Sequence, residues 1–364
     1  MSSGAENDML PTPDAPVAEP LAADQQAALD KELSEVTALL ETSTSSADGE
    51  MGGIDSTESE GSSTPSEDGE IEKKNRSASY CNELIKKEMS DEEILSLIES
   101  EVSEIISEHE ALNDYEVVFL YDYNMINRTH ASSIYQRLSS LKKNNILLIL
   151  KSPGGEVEPA YLISKLCIRL KGNKFIIGVP SEAKSAATLL SLGADEIHMG
   201  AMSELGPIDP QINGYPALAF SSALEKIAQL SEKYPGASTM LAQYLIGSKL
   251  DIQALGHYDR ITESSEQYAL RLLQSKATTT DSSGKLARLA SYFTNHYKDH
   301  SFVIDVEEAQ KLLGIDVVFS ESKVYQACHE IHKFLEACEI IMQLRGHKRR
   351  ITVLGSKFML RKFP

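Results

Sequence analysis

The sequence predicts an α/β fold with a largely parallel sheet, a disordered acidic N-terminal tail and a helical C-terminal arm. Three observations support it. Apolar strands alternate with helices from Tyr115 onward, helical periodicity dominates after Pro216, and residues 1–77 are rich in Ser, Thr, Asp, Glu, Gly and Pro. Continuous apolar strands separated by helices are typical of parallel sheets that are covered on both faces.

The composition indicates a globular protein with one or two cores. The chain has 364 residues, of which 41% are hydrophobic. Residues 1–70 contribute -16 of the net charge of -19, so the remainder is nearly balanced. The globular part therefore gives no strong signal for nucleic-acid binding.

The cysteines indicate free thiols in a reducing compartment. Their spacing matches no CxxC or metal-ligand pattern, so we expect no metal and no other cofactor. The chain start lacks the basic and apolar regions of a signal peptide, and no apolar run approaches the roughly 20 residues of a membrane span. We expect a cytoplasmic protein. The four cysteines are Cys81, Cys167, Cys328 and Cys338.

Two segments precede the main domain. Residues 1–77 are predicted to be a disordered acidic tail, in which an apolar face spans Leu29 to Leu40. That face fits either a helix that docks on a partner or a nascent helix without one. Residues 78–114 are predicted to form a helical segment, because Ser90 and Glu93 have capping-box spacing and an apolar stripe from Leu95 to Ile105 follows.

The main domain is assigned to residues 115–320 and the C-terminal helix with a basic tail to 321–364. Strands are predicted over 116–121, 146–150, 175–179 and 196–199, and helices over 129–141, 159–170, 185–192, 217–233, 236–249, 262–274, 285–297, 306–313 and 322–344. The last 20 residues carry seven basic side chains and no acid. They fit a solvated terminus or a contact with the acidic tail, a polyanion or a membrane surface, which leaves peripheral membrane association open.

Two turns carry the chemistry. Ser152-Pro153-Gly154-Gly155 follows one strand, and Lys184-Ser185-Ala186-Ala187 follows another and opens a helix. Ligand sites in parallel sheets lie beyond the carboxyl ends of the strands. A hydroxyl at a helix N-terminus beside a glycine turn can present a nucleophile together with amides for an oxyanion. The other interpretation of Ser185 is an ordinary helix N-cap.

The segments LKSPGGEVEPAYLI, AKSAATLLSLGADEI and SELGPIDPQ resemble the serine dehydrogenase proteinase family. This family is a branch of the ClpP/crotonase superfamily related to signal peptide peptidase A, and the resemblance covers 115–319. It implies a ClpP/crotonase-like spiral of βαβ units and a serine peptidase with Ser185 as nucleophile. It also implies an oxyanion hole from Gly155 and Ala186, with Gly154 as a further candidate, unfolded peptide or protein substrates and a closed homo-oligomer.

The sequence alone does not identify the general base. ClpP enzymes have a histidine about two dozen residues after the serine, where this sequence has Asp209. Signal peptide peptidase A-like enzymes use a lysine, and Lys226 follows Ser185 by 41 residues. Burial beside neighbouring apolar residues would lower the pKa of that lysine, whereas a solvated helix lysine is the alternative. The other candidates for the base are Asp209, His300 and His198.

Three function classes remain open from the sequence. The first is a serine peptidase. The second is a crotonase-like acyl-CoA enzyme, in which the same paired amides polarise a thioester carbonyl. The third is a catalytically inactive ClpP-fold scaffold or binding protein, whose acidic tail would be the functional part.

Overall fold

The computed structural model describes residues 74–212, 215–236, 239–240, 243–244, 252–276, 283–297 and 299–362. The predicted disordered tail and the Leu29 to Leu40 helix therefore lie outside the described residues, apart from 74–77. Most of the helix predicted over 236–249 lies outside them too. No helix in the described ranges is long and apolar enough to cross a membrane.

The described elements follow the predicted alternation of strands and helices. The helices are α1 Ala78–Leu84, α2 Asp91–Glu108, α3 Arg128–Leu138, α4 Val157–Leu170, α5 Ala186–Ser191, α6 Ala217–Lys233, α7 Ile252–Gln274, α8 Ser283–Ser291, α9 Val306–Leu313 and α10 Lys323–Leu344. The strands are β1 Tyr115–Tyr121, β2 Asn145–Lys151, β3 Phe175–Gly178, β4 Glu182–Ala183, β5 Glu196–Met199, β6 Glu204–Leu205, β7 Gln211–Ile212, β8 Tyr215–Pro216, β9 Val318–Ser320, β10 Arg349–Gly355 and β11 Lys357–Lys362.

The main sheet has seven strands in the order β11-β10-β1-β2-β3-β5-β9. Strands β1, β2, β3, β5 and β9 are parallel, and β10 and β11 run antiparallel to their neighbours. The central strands are buried on both faces, which explains their continuous apolar sequences. The predicted parallel sheet is therefore confirmed, with an antiparallel hairpin added at one edge.

The sheet separates two apolar cores. One face packs against α3, α4 and α5, through residues such as Ile134, Ile163 and Leu189. The opposite face packs against α2 and α10, through residues such as Ile98 and Phe334. All four cysteines are buried and free, as expected from their spacing.

The C-terminal end differs from its interpretation as a basic tail. Residues 349–362 form the hairpin β10–β11, because Ile351 and Val353 alternate into the core and are fully buried. The basic residues at the strand ends, Arg349, Arg350, Lys357, Arg361 and Lys362, concealed these short apolar runs. Two of them have partners inside the protein: Arg349 Nε lies 2.9 Å from Asp91 Oδ2, and Arg350 lies over the Tyr123 ring.

The N-terminal helical segment agrees with its capping signal. The Ser90 side chain accepts the Glu93 N–H, and the Glu93 carboxylate accepts the Ser90 N–H, so α2 begins at the predicted residue. Its buried stripe begins at Ile94, and the neighbouring Leu95 is only partly buried.

Candidate active site

Two turns meet beyond the carboxyl end of β2. The Ser152 N–H donates to the Glu182 carbonyl oxygen at 3.0 Å, and the Lys184 N–H donates to the Ser152 carbonyl oxygen at 3.0 Å. Ser152 itself is fully buried. These bonds align β2 with β4 and bring the Ser-Pro-Gly-Gly turn against the turn that carries Ser185.

Both glycines of the first turn have backbone conformations that side chains rarely adopt. Gly154 has φ +103°, and a Cβ on it would lie 2.7 Å from both Ser185 Cβ and the Lys184 carbonyl oxygen. Gly155 has φ +144°, and its Cβ would lie 2.3 Å from the Ile126 backbone nitrogen. Only glycine fits at these positions, because Gly154 packs directly on Ser185 and Gly155 packs directly on the Ile126 backbone.

Ser185 has an unusual backbone conformation at the start of α5. Its φ of 53° and ψ of -117° are uncommon for a residue with a Cβ, and such strain costs about 1–3 kcal/mol. The side chain makes no hydrogen bond that caps α5. The structure therefore differs from the ordinary N-cap interpretation. All six residues of α5 are buried, and Ser185 is half-buried at the helix entrance.

Two backbone amides beside Ser185 have no acceptor among the described residues. They are the N–H groups of Gly155 and Ala186. The Gly154 N–H, by contrast, donates to the Ser152 hydroxyl at 3.2 Å. The open amides are therefore those of Gly155 and Ala186, whereas the amide of Gly154 is already engaged.

The structure pairs two of the candidate bases with each other. His300 Nδ1 contacts a carboxylate oxygen of Asp209, although the residues are 91 positions apart. Asp209 is buried, and it also accepts the Gln211 side-chain N–H at 2.9 Å. The hydrogen bond to Asp209 raises the pKa of His300 above its ordinary value, against the opposing effect of burial. The pair therefore has the composition of an oriented histidine base.

Lys184 links this pair to the serine turn. Its Nζ lies 2.9 Å from Glu204 Oε2 and donates to the Phe302 carbonyl oxygen at 3.4 Å. Phe302 is two residues after His300, so the segment of His300 lies against the residue that precedes Ser185. Because the Lys184 amine is held by these acceptors, it is not directed at the serine hydroxyl.

The other two candidate bases have different surroundings. Lys226 lies on α6 and is exposed, and Leu224 and Ile227 are only partly buried. The nearly buried His198 has its Nδ1 2.7 Å from the Ser322 hydroxyl, at the start of α10. It stacks on Phe319, so its described contacts hold α10 rather than the serine turn.

Ile126 is a part of the site that the sequence did not reveal. Its N–H donates to the Gly154 carbonyl oxygen at 2.7 Å, and its own carbonyl accepts the Glu156 N–H at 2.8 Å. An isoleucine in a loop carries no signal for such a role, because only its backbone is used. In the described ranges, no group of three or more His, Cys, Asp or Glu residues is placed to hold a metal ion.

Comparisons with known proteins identify relatives of this chain. The sequence profile described as ClpP-like SDH-type serine proteinase matches residues 79–343. The uncharacterised protein MJ0137 of Methanocaldococcus jannaschii is 29% identical over 212 residues, covering 58% of this chain and 67% of that protein. A second protein of the same organism, MJ1495, is 29% identical over 170 residues, covering 47% of this chain and 51% of that protein.

Among solved structures, a variant of the 1510-N membrane-bound stomatin-specific protease is similar to this chain. It covers 62% of this chain and 84% of its own, with a TM-score of 0.37 and 18% sequence identity.

Proposed function

The chain belongs to the family of ClpP-like SDH-type serine proteinases, and we propose that it hydrolyses peptide bonds through an acyl-enzyme on Ser185. Family membership and the ClpP/crotonase-like α/β fold agree with what the two turns predicted from the sequence. The assignment of individual residues below is the proposal.

One observation supports this proposal most strongly. Ser185 has a strained backbone, and its hydroxyl does not cap the helix that follows. It packs against a glycine turn in which no side chain would fit. A structural serine at a helix start would adopt an extended conformation and cap the helix. Strain of this kind is retained where the surrounding structure enforces it, and nucleophile turns are a common example.

The reaction follows from this geometry. Ser185 Oγ attacks the carbonyl carbon of the peptide bond, and its proton passes to the base. The carbonyl oxygen becomes an oxyanion that accepts hydrogen bonds from the Gly155 and Ala186 amides, each worth about 3 kcal/mol. The C–N bond then breaks as the base protonates the leaving amine. Water attacks the ester next, which releases the acid and restores the serine.

Two groups can serve as the base in this proposal. The contacts of the described residues favour His300 for two reasons. Buried Asp209 orients its ring, and Phe302, two residues after His300, contacts Lys184, the residue before Ser185. A Ser-Lys enzyme would use Lys226 instead. That lysine is exposed in the single chain, so another surface would have to cover its amine before it could act as a base.

We also propose that the chain forms a homo-oligomer and that its substrates are unfolded peptides or proteins. The helical arm that carries Lys226 exposes apolar side chains that a second copy would cover. The exposed apolar residues are Leu230, Tyr234, Met240 and Tyr244. The buried free thiols support a reducing compartment such as the cytoplasm.

Reaction with a fluorophosphonate probe tests the proposal. The full-length chain is expected to be labelled, and Ser185→Ala is expected to abolish labelling. Undiminished labelling of this variant would contradict the proposal. If the wild type is not labelled but binds an acyl-CoA in calorimetry, the crotonase-like alternative is favoured; if neither occurs, the scaffold alternative is favoured.

A further inference from the structure

The Gly155 amide takes its direction from Ile126. Ile126 makes two backbone hydrogen bonds, one to Gly154 and one to Glu156, and these hold the backbone on either side of Gly155. In such a parallel bridge, the N–H of the middle residue points away from the strand that grips it. The position of Ile126 therefore determines where the Gly155 N–H points.

Two buried polar side chains, Asp122 and His130, hold the loop that contains Ile126. Asp122, at the end of β1, is fully buried, and its Oδ2 lies 3.1 Å from His130 Nε2. His130 is also buried, and its Nδ1 lies 3.2 Å from the N–H of Asn127, the residue after Ile126. The same Nδ1 also lies 2.9 Å from Asn127 Oδ1, so the ring joins Asp122 to both the backbone and the side chain of Asn127.

Further contacts of Asp122 hold the same loop near its other end. Its Oδ1 accepts the backbone N–H of Asn124 at 3.0 Å and the side-chain N–H of Asn124 at 2.8 Å. It also accepts the Thr352 hydroxyl at 3.2 Å, which connects the loop to β10. Both ends of the loop that contains Ile126 are thus fixed by one buried carboxylate and one buried imidazole.

We propose that Asp122 and His130 are positioning residues of this peptidase, which hold Ile126 and through it aim the Gly155 amide at the oxyanion. This inference rests on the proposed function of Gly155. Neither side chain touches the reacting atoms, so they act through the backbone. Small displacements of an oxyanion donor cost large factors in rate, because the donor must meet the oxygen at hydrogen-bond distance.

His109 offers a matched control. It is buried like His130, and its Nε2 lies 2.9 Å from a carboxylate oxygen of Glu330, away from the serine turn. Both histidines therefore lose a carboxylate contact when they are changed to alanine. A purely structural role of His130 predicts the same outcome for both variants.

The test compares the rate of fluorophosphonate labelling in the full-length wild type, His130→Ala and His109→Ala. We expect His130→Ala to react about 10- to 100-fold more slowly and His109→Ala to stay within about twofold of the wild type. His130→Asn should recover part of the rate, because its side-chain oxygen can accept the Asn127 N–H. Amide exchange over residues 123–127 and 153–156 should accelerate in His130→Ala.

A folded His130→Ala that reacts at the wild-type rate would overturn the inference and leave the proposed function intact. If the wild type is not labelled on Ser185, the proposed function fails and this inference fails with it. Should His130→Ala not fold, Asp122→Asn replaces it, since it keeps the size of the side chain but replaces the carboxylate oxygen that faces His130 Nε2 with an amide N–H group. The same loss of rate is expected there, and an unchanged rate would again overturn the inference.

Discussion

The two sides of the candidate site are built in different ways. On the oxyanion side, Gly154, Gly155 and Ile126 are held by backbone hydrogen bonds and by the absence of side chains. On the base side, the candidates are side chains: the half-buried His300 on buried Asp209, and the exposed Lys226. The oxyanion side tolerates almost no substitution at its glycines, because added side chains would displace the backbone. The base can instead come from side chains at different places in the chain.

The largest expected effect separates the two candidate bases. Loss of a general base typically lowers the rate by about 100- to 10,000-fold. We expect this loss in His300→Gln and near wild-type hydrolysis of fluorescein-labelled casein in Lys226→Met. The reverse result would assign the base to Lys226 and indicate that another surface covers it. If both variants retain full activity, neither residue is the base.

Gly155→Ala tests the backbone-built half. Its new Cβ would lie 2.3 Å from the Ile126 nitrogen at a φ of +144°, so the turn must shift. We expect labelling to slow by about 100-fold and the free energy of unfolding to fall by about 1–3 kcal/mol. The control is Gly236→Ala, where a Cβ would meet nothing within 4 Å. Equal labelling rates in the two variants would contradict the proposed role of Gly155.

The pH dependence of the hydrolysis rate tests whether His300 is the base. A histidine base is active when neutral, and the hydrogen bond to Asp209 raises the pKa of His300 above the ordinary value of about 6.5. The rate should therefore rise with pH through that raised pKa. Asp209→Asn removes the partner, so the rise should move to lower pH. An unmoved profile, measured by casein hydrolysis between about pH 5 and 9, would exclude His300 as the base.

The smallest effect concerns His198 and its partner. Ser322 caps α10 by accepting the Tyr325 N–H and also contacts His198. Ser322→Ala should lower the free energy of unfolding by about 1 kcal/mol, measured in urea, and leave labelling unchanged. A large loss of labelling in the folded variant would return His198 to the list of candidate catalytic residues.

The sequence predicted the parts of the molecule that depend on local rules. Apolar runs identified the strands, the Ser90 to Glu93 spacing located α2, and two glycines beside a serine indicated the packed turns. These signals are local because each of them depends on residues that lie close together in the sequence.

The missed features depend on distant pairing. The contact of Asp209 with His300 joins residues 91 positions apart, and no local pattern encodes it. The hairpin β10–β11 was concealed because basic residues flank the short apolar run of each strand. The contacts of Asp122 and His130 likewise become visible only when β1, α3 and β10 are brought together.

The most direct measurement locates the covalent adduct. The full-length protein is treated with a fluorophosphonate, digested and mapped by mass spectrometry. The account predicts a single modified site at Ser185, with the buried Ser152 unmodified. An adduct on Ser152 or elsewhere, with Ser185 unmodified, would contradict the claim that Ser185 is the nucleophile.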